Sequence, residues 1–198
     1  MIQIHQANVL FKGTHVFDQL SFDWKVGSHW AIVGDSGATL TAFLETLRGN
    51  TIVSSGSIQR LFASAYLADK QEEGEIHSYR DFMAYVSQKY KFRNRSNLQN
   101  FYFQQRFNSS ESDEASTVRE TLSEVQAKIS GVWNLTNVTD LLRLKPLLDK
   151  SLLKLSNGET RRLAIALGLM SQPKIYLMDQ PMTGLDVKSR AEFGEILK

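Results

Sequence analysis

Along the first quarter of the chain, apolar positions recur at short, strand-like spacing. Ile2 and Ile4 alternate with polar neighbours, and Val9 to Phe11, Leu20 to Trp24 and Trp30 to Val33 are β-branched or aromatic runs. Turn residues separate them at Lys12-Gly13-Thr14 and Lys25-Val26-Gly27-Ser28. This pattern predicts a series of strands. After Gly34-Asp35-Ser36-Gly37 the spacing lengthens, and Phe43, Leu44 and Leu47 predict a helix over 41–48. A strand, a glycine loop and a helix in succession form the frame of a phosphate-binding loop.

Farther on the pattern is less regular. Residues 58–90 show no clear period, and Glu72-Glu73-Gly74-Glu75 reads as a solvated loop, as does the polar stretch 108–116. Thr117 and Glu120 have capping-box spacing, and Val118, Leu122, Val125 and Ile129 give the helix they open an apolar face. Ser156 and Glu159 repeat the box, and Leu163, Ile165, Ala166, Leu169 and Met170 continue as a largely apolar helix that Pro173 ends. Ile175 to Met178 reads as a short strand buried on both faces. Asp179 and Gln180 then fall at its carboxyl end, where open α/β sheets place their ligands. No internal repeat or low-complexity tract is visible.

Composition narrows the classes. With 198 residues and 42% hydrophobic content the chain can bury one substantial core, with room for an inserted lobe. A formal net charge of +2 does not call for a polyanionic partner. Lys89-Tyr90-Lys91-Phe92-Arg93-Asn94-Arg95 interleaves basic and aromatic residues as a single-strand groove would, but against that weak charge it reads as a solvated loop or partner surface, and no nucleic acid is expected. The chain has no cysteine, which excludes disulfides and thiol chemistry and fits a reducing compartment. Its start lacks a secretion signal, and its longest apolar stretch, 163–170, falls far short of the ~18–20 residues a bilayer span needs, so no direct membrane span is expected. His5, His15, His29 and His77 are scattered without metal-ligand spacing.

The candidate chemistry lies in three runs: Gly34-Asp35-Ser36-Gly37-Ala38-Thr39-Leu40-Thr41, then Leu155-Ser156-Asn157-Gly158-Glu159-Thr160-Arg161-Arg162, then Ile175-Tyr176-Leu177-Met178-Asp179-Gln180-Pro181 followed by Gly184-Leu185-Asp186. In order and separation they resemble the phosphate loop, signature helix, magnesium-binding strand end and following loop of ATP-binding cassette (ABC) ATPases. Leu155 to Arg161 and Gly184 to Arg190 are most similar to the tandem ABC proteins associated with molybdate transport. The fold this implies is α/β: a P-loop NTPase domain of ABC type, with a mixed sheet core, N-terminal antiparallel strands and an inserted helical subdomain. It implies a single domain over 1–198, with its core at about 1–88 and 151–198 and its helical subdomain at about 89–150. The chain ends within a predicted helix, before the strand and switch histidine the family carries downstream, so the expected domain is C-terminally truncated.

The resemblance implies ATP and magnesium as cofactors, bound head-to-tail between two ABC domains in a homodimer or a tandem or heterodimeric pair. It also implies a separate transmembrane permease and a cytoplasmic location, peripheral at the inner face of the membrane. Residue by residue, Phe11 takes the place of the aromatic on adenine, with a strand-core aromatic as the alternative. Gly34 to Thr41 take the phosphates, with Thr41 also on magnesium. Gln88 takes the place of the glutamine that senses magnesium and the γ-phosphate, in competition with Gln104 and Gln105. Asp179 takes magnesium, and Ser156, Asn157, Gly158, Glu159 and Asp186 face the partner's nucleotide.

Departures from the family pattern sit at the chemistry. Thr39 replaces a glycine, and Leu40 replaces the lysine that reaches the β/γ oxygens. A hydrogen bond to a charged group is worth about 1.5–3 kcal/mol, so the loss corresponds to a roughly ten- to hundredfold weaker grip on nucleotide. If position 39 needs a positive φ, threonine adds strain. Gln180 stands at the general-base position; a carboxamide can orient water but cannot take its proton, and such assistance is worth about 10² to 10⁴ in rate. The expectation is an ATP-binding domain with impaired hydrolysis. The alternatives are a degenerate half-site that lends its signature helix to a partner's ATP, or an ABC protein outside transport.

Overall fold

The computed structural model describes residues 1–64, 67–68, 78–87, 116–183 and 185–196, the side chains of Ser189 and Ile196 excepted. Two compact units emerge, Met1–Met83 and Ala84–Lys198.

In the first unit, strands β1 (Ile2–Phe11), β2 (Thr14–Trp24) and β3 (Ile52–Arg60) form an antiparallel sheet in the order β2-β1-β3. The buried positions of β1 run Ile2, Ile4, then Ala7, Val9, so the alternation changes phase halfway. A bulge accounts for this: Gln6 has φ 44°, and the pairing register shifts there against both neighbouring strands. An extra residue restores the inward face after the slip. Gly56 lies across from it, where a Cβ would stand 2.4 Å from the carbonyl oxygens of His5 and Gln6, so only glycine fits.

Helix α1 (Gly37–Arg48) buries Ala42, Phe43 and Leu47. Phe43 meets Phe17 and Phe22 of β2 edge-on, at 6.2 and 5.3 Å between centroids. Its C-terminal carbonyls are answered by a cluster of donors. Gly49, left-handed at φ 77°, closes the helix. Arg60 donates to the Thr46 and Leu47 carbonyls at 2.9 Å, Arg80 to those of Arg48 and Gly49, and the Tyr79 hydroxyl to Arg48. Cations at this end also complement the helix dipole. Burial pushes the Arg60 guanidinium below its ordinary pKa, and Arg60 lies over the Tyr79 ring at 4.6 Å.

The expected strand at Trp30 to Val33 does not form. These residues are irregular, with Trp30 55% and Val33 88% exposed. A strand exists through its pairing, and among the described residues this segment pairs with none; β-propensity alone does not hold a backbone extended.

The second unit carries a two-stranded sheet, β4 (Met83–Val86) with β5 (Ile175–Met178), and helices α2 (Val118–Gln126), α3 (Leu135–Leu141), α4 (Asn157–Met170) and α5 (Val187–Ile196). Its core gathers Val86, Val118, Leu122, Val138, Leu142, Leu163, Ile165, Met170 and Phe193. Both expected capping boxes are present, at Thr117–Glu120 and Ser156–Glu159. Ile129 departs from the expectation: α2 ends at Gln126, and Ile129 lies beyond it, 40% exposed. β5 docks on α4 through Tyr176, whose hydroxyl donates to the Ile165 carbonyl at 2.9 Å. Gly168 leaves that ring its space, since a Cβ there would stand 2.7 Å from the hydroxyl. The predicted α/β architecture, with antiparallel strands at the N-terminus and helices ahead of the signature run, is therefore observed.

Gly49 and Gly194 make opposite predictions. Gly49→Ala puts a side chain in the left-handed region, with its Cβ 2.0 Å from the Tyr79 hydroxyl, and should cost about 2–3 kcal/mol. Gly194, inside α5 with nothing within 4 Å of its would-be Cβ, should gain about 0.5–1 kcal/mol as alanine. Urea denaturation of both variants checks the pair.

Candidate functional site

The phosphate-loop residues lie in the first unit. Gly34 and Asp35 are irregular, Ser36 is the N-cap of α1, and Gly37 to Thr41 are already helical. The helix thus starts four residues before the predicted one. Ser36 causes it: its side chain accepts from the Thr39 amide at 3.5 Å, and its carbonyl accepts from the Leu40 amide at 3.1 Å. A serine cap satisfies donors that a helix start otherwise offers outward. The strain considered for Thr39 is not found, because Thr39 is in the first turn of α1 and is not among the residues with positive φ.

Leu40 turns its side chain toward Gly34, where a Cβ would be 3.4 Å from Leu40 Cδ2. Together with Phe17, Ile32, Val33 and Phe43 it lines an open cleft of about 320 Å³ beside the loop. At position 40 the family's charge is replaced by an apolar side chain, while Asp35, Ser36 and Thr39 line the same cleft. Phe11 is half-buried at the end of β1, paired with Thr14 across the turn, and carries the Lys12 ammonium 5.2 Å from its ring centroid.

In the second unit, Asp179 follows β5 and is 3% exposed. Its amide donates to the Val86 carbonyl at 2.9 Å, continuing the ladder onto β4, and its Oδ2 accepts from the Tyr85 hydroxyl at 3.0 Å. Arg161 of α4, 6% exposed, donates from Nη1 to the Ser87 carbonyl, one residue past Val86. Burial pushes its guanidinium below the ordinary value while the charge of Asp179 holds it up.

Gln180 adopts a left-handed backbone at φ 46°. It opens a turn through Pro181 in which its carbonyl accepts from the Thr183 amide at 3.0 Å and its side-chain oxygen from the Thr183 hydroxyl at 3.3 Å. A non-glycine residue here costs about 1–2 kcal/mol, which the turn bonds offset. Chemically the position can orient a water and cannot deprotonate it.

The signature residues form a complete helix start. Ser156 Oγ accepts from the Glu159 amide at 3.2 Å, and Glu159 Oε2 accepts from the Ser156 amide at 2.6 Å. Lys150 clamps the same carboxylate, Nζ at 2.9 and 3.1 Å from its two oxygens. Ser156 and Asn157 are exposed, Gly158 half-buried. Ser156, Gly158 and Glu159 share a small cavity of about 30 Å³ with Arg161, Arg162, Leu185, Glu192 and Phe193, so the signature start and the loop before Asp186 meet. Asp186 is exposed, and its carbonyl accepts from the Arg190 amide at the start of α5.

A family model described as "ABC transporter" matches residues 17–183. The chain belongs to the ABC transporter family, as an ATP-binding domain. It is 27% identical over 185 residues to the uncharacterised ABC transporter ATP-binding protein C323.04 of Schizosaccharomyces pombe, covering 92% of this chain and 36% of that protein. It is also 27% identical over 198 residues to the sulfate/thiosulfate import ATP-binding protein CysA of Acinetobacter baylyi, covering 100% of this chain and 50% of that one. The chain thus spans half or less of these curated relatives' length. Among solved structures, cbiO1 of Clostridium perfringens, part of the ABC transporter complex cbiONQ, superposes with a TM-score of 0.67 at 21% identity, over 99% of this chain and 71% of that one. An ATP-binding subunit of another ABC transporter gives 0.67 at 19%, over 100% and 73%. These likenesses carry the fold.

Within this ABC domain, Gln88, its competitors Gln104 and Gln105, the basic-aromatic run 89–95 and Gly184 lie outside the described residues. Among those described, no group of three or more His, Asp or Glu side chains is placed to hold a metal, and no helix is long and apolar enough to cross a membrane. The signature run includes Arg161 without a role of its own, and neither Tyr85 nor Lys150 stands in any motif of the sequence. Nothing in the local pattern marks Tyr85, whose partner is 94 residues away.

The Glu159 clamp has a pH signature. Burial favours the neutral acid, but the bonds from Lys150 and Ser156 outweigh it and hold the pKa below the ordinary value. Because the folded value is the lower one, the clamp stabilises fully above the ordinary glutamate range, near 4.3, and its contribution is lost as pH falls through the depressed folded value. Denaturation midpoints measured against pH should drop more steeply on the acid side for the natural chain than for Glu159→Gln.

Proposed function

We propose that this ABC domain works as one of a pair, gripping nucleotide weakly at its own phosphate loop and closing its signature helix over ATP held by a second ABC domain. The domain is read as one unit, its core about 1–88 and 151–198 around a helical lobe at about 89–150. It would sit in the cytoplasm at the inner face of the membrane, beside a separate permease. The tandem molybdate-associated proteins that the signature run resembles supply the form such a pair takes, and cbiO1 is itself part of a transporter complex.

The contrast between two helix starts carries the reading. At α4 the serine is exposed, a half-buried glycine follows, and the capping box and the Lys150 clamp make the start rigid. A helix start of this kind favours an anion. At α1 Ser36 accepts from the Thr39 and Leu40 amides as Ser156 does from those of Glu159 and Thr160, but position 40 is apolar. Without a lysine at position 40, that loop does not fit a phosphate held in the family's manner. For magnesium the donor chemistry of the Asp179 carboxylate fits, a hard oxygen ligand of the kind it takes. Magnesium, when bound, would offset the charge of the nucleotide phosphates. Gln180 leaves the water near this chain's own site without a base, so residual hydrolysis there is slow, lower by about 10² to 10⁴.

Two measurements test the reading. In the complex with its partner domain, Ser156→Arg should weaken the partner's ATP binding at least tenfold, because coupling across the interface is reciprocal; unchanged affinity would refute the half-site. In the isolated chain, Leu40→Lys should tighten ATP binding about ten- to hundredfold, and adding Gln180→Glu should raise turnover. Turnover at ordinary family rates in the unaltered chain would overturn the impaired-hydrolysis part.

A further inference from the structure

The environment of Asp179 asks for an account beyond magnesium binding. A carboxylate 3% exposed cannot rely on water, and its Oδ2 takes the Tyr85 hydroxyl at 3.0 Å. Tyr85 lies on β4, Asp179 at the end of β5, so this bond joins the two strands side chain to side chain, next to the backbone bond from Asp179 to Val86. A third element is tied to the same spot. Arg161, near the start of α4, reaches the Ser87 carbonyl and lies within the field of Asp179. The guanidinium is buried, so its charge is poorly screened there.

We infer that Tyr85 and Arg161 are positioning residues that hold the Asp179 carboxylate from inside the chain and compete with a divalent cation for it. The phenol engages a lone pair of Oδ2, and the buried guanidinium adds positive charge within the field of the carboxylate. One oxygen of the carboxylate that the family gives to magnesium is thereby engaged before any metal arrives. The same contacts fasten the signature helix to the β4–β5 sheet without nucleotide. This rests on the reading of Asp179 as the magnesium aspartate.

The cation competition is tested with Mn2+ alone, in the absence of nucleotide, on the full chain. Free Mn2+ is read by electron paramagnetic resonance and stability by thermal melting. Tyr85→Phe and Arg161→Gln should each bind Mn2+ at least threefold more tightly than the unaltered chain. Each should melt lower when metal-free and recover part of the loss as Mn2+ is added. Asp179→Asn should lose the Mn2+ site and melt below the unaltered chain with or without metal. A lower melting point alone would follow from any packing role; tighter Mn2+ binding would not. If Asp179→Asn removes Mn2+ binding while neither Tyr85→Phe nor Arg161→Gln strengthens it, the inference is overturned and the magnesium reading stands. If Asp179→Asn leaves Mn2+ binding unchanged, the magnesium reading falls and takes the inference with it.

Discussion

The amides that open a helix have no carbonyl partner within it, and something must accept from them. In an ABC site those unmet donors are where phosphate oxygens go, so whatever else accepts from them governs what the site can hold. Here serine accepts at both helix starts that matter. Ser156 does so in a reciprocal box whose glutamate is in turn held by Lys150, and the exposed edge of the helix keeps its serine and glycine. Ser36 does so at the phosphate loop, and there the helix winds back over Gly37 to Leu40, the stretch that would otherwise wrap a phosphate. One capping device therefore closes both starts, and what sets them apart is the leucine at position 40 of α1 and the Lys150-held glutamate of α4.

The loss of the lysine and the winding of the loop belong together. A phosphate-binding loop keeps its amides turned outward against their tendency to join a helix, and a bound anion with a lysine stabilises that arrangement. With leucine at position 40 the side chain joins an apolar wall with Phe17 and Phe43, and the backbone takes the helical bonds within reach. Asp179 shows the same principle in the second unit. Buried charge calls for local partners, and Tyr85 donates to one oxygen of Asp179.

What could be read from the sequence followed how local the interaction is. The capping boxes at Thr117 and Ser156 span three residues and were legible; so were the β1–β2 turn at Lys12-Gly13 and the strand at Ile175 to Met178. The Ser36 cap is equally local, yet it lay hidden because Gly34 to Thr41 reads at once as a phosphate loop, and that frame outweighed the helix start within it. Trp30 to Val33 has every strand preference and no partner among the described residues, since pairing is not written in the segment that pairs. The β1 bulge at Gln6 left a trace, the change from Ile2 and Ile4 to Ala7 and Val9, which makes sense only once both neighbouring strands are known. Tyr85 with Asp179 is the extreme case, a contact across 94 positions.

Gln180 and Leu40 bear on one another through energetics. A glutamine at the base position by itself describes a domain that captures ATP and holds it, because capture depends on phosphate contacts and not on the base. Removing the lysine as well takes about 1.5–3 kcal/mol from capture, so the two changes together do not make a holding site. In the proposed pair they are compatible, because there this chain's own nucleotide is dispensable and its other nucleotide face is not. In the proposed pair that face is α4, and coupling energy flows both ways: a partner's ATP that binds more tightly with this chain present must, by the same amount, hold this chain more tightly to the partner. A domain that scarcely uses its own phosphate loop can then still be recruited and released by nucleotide, as long as the start of α4 remains rigid. The Ser156–Glu159 box and the Lys150 clamp supply that rigidity from within the chain.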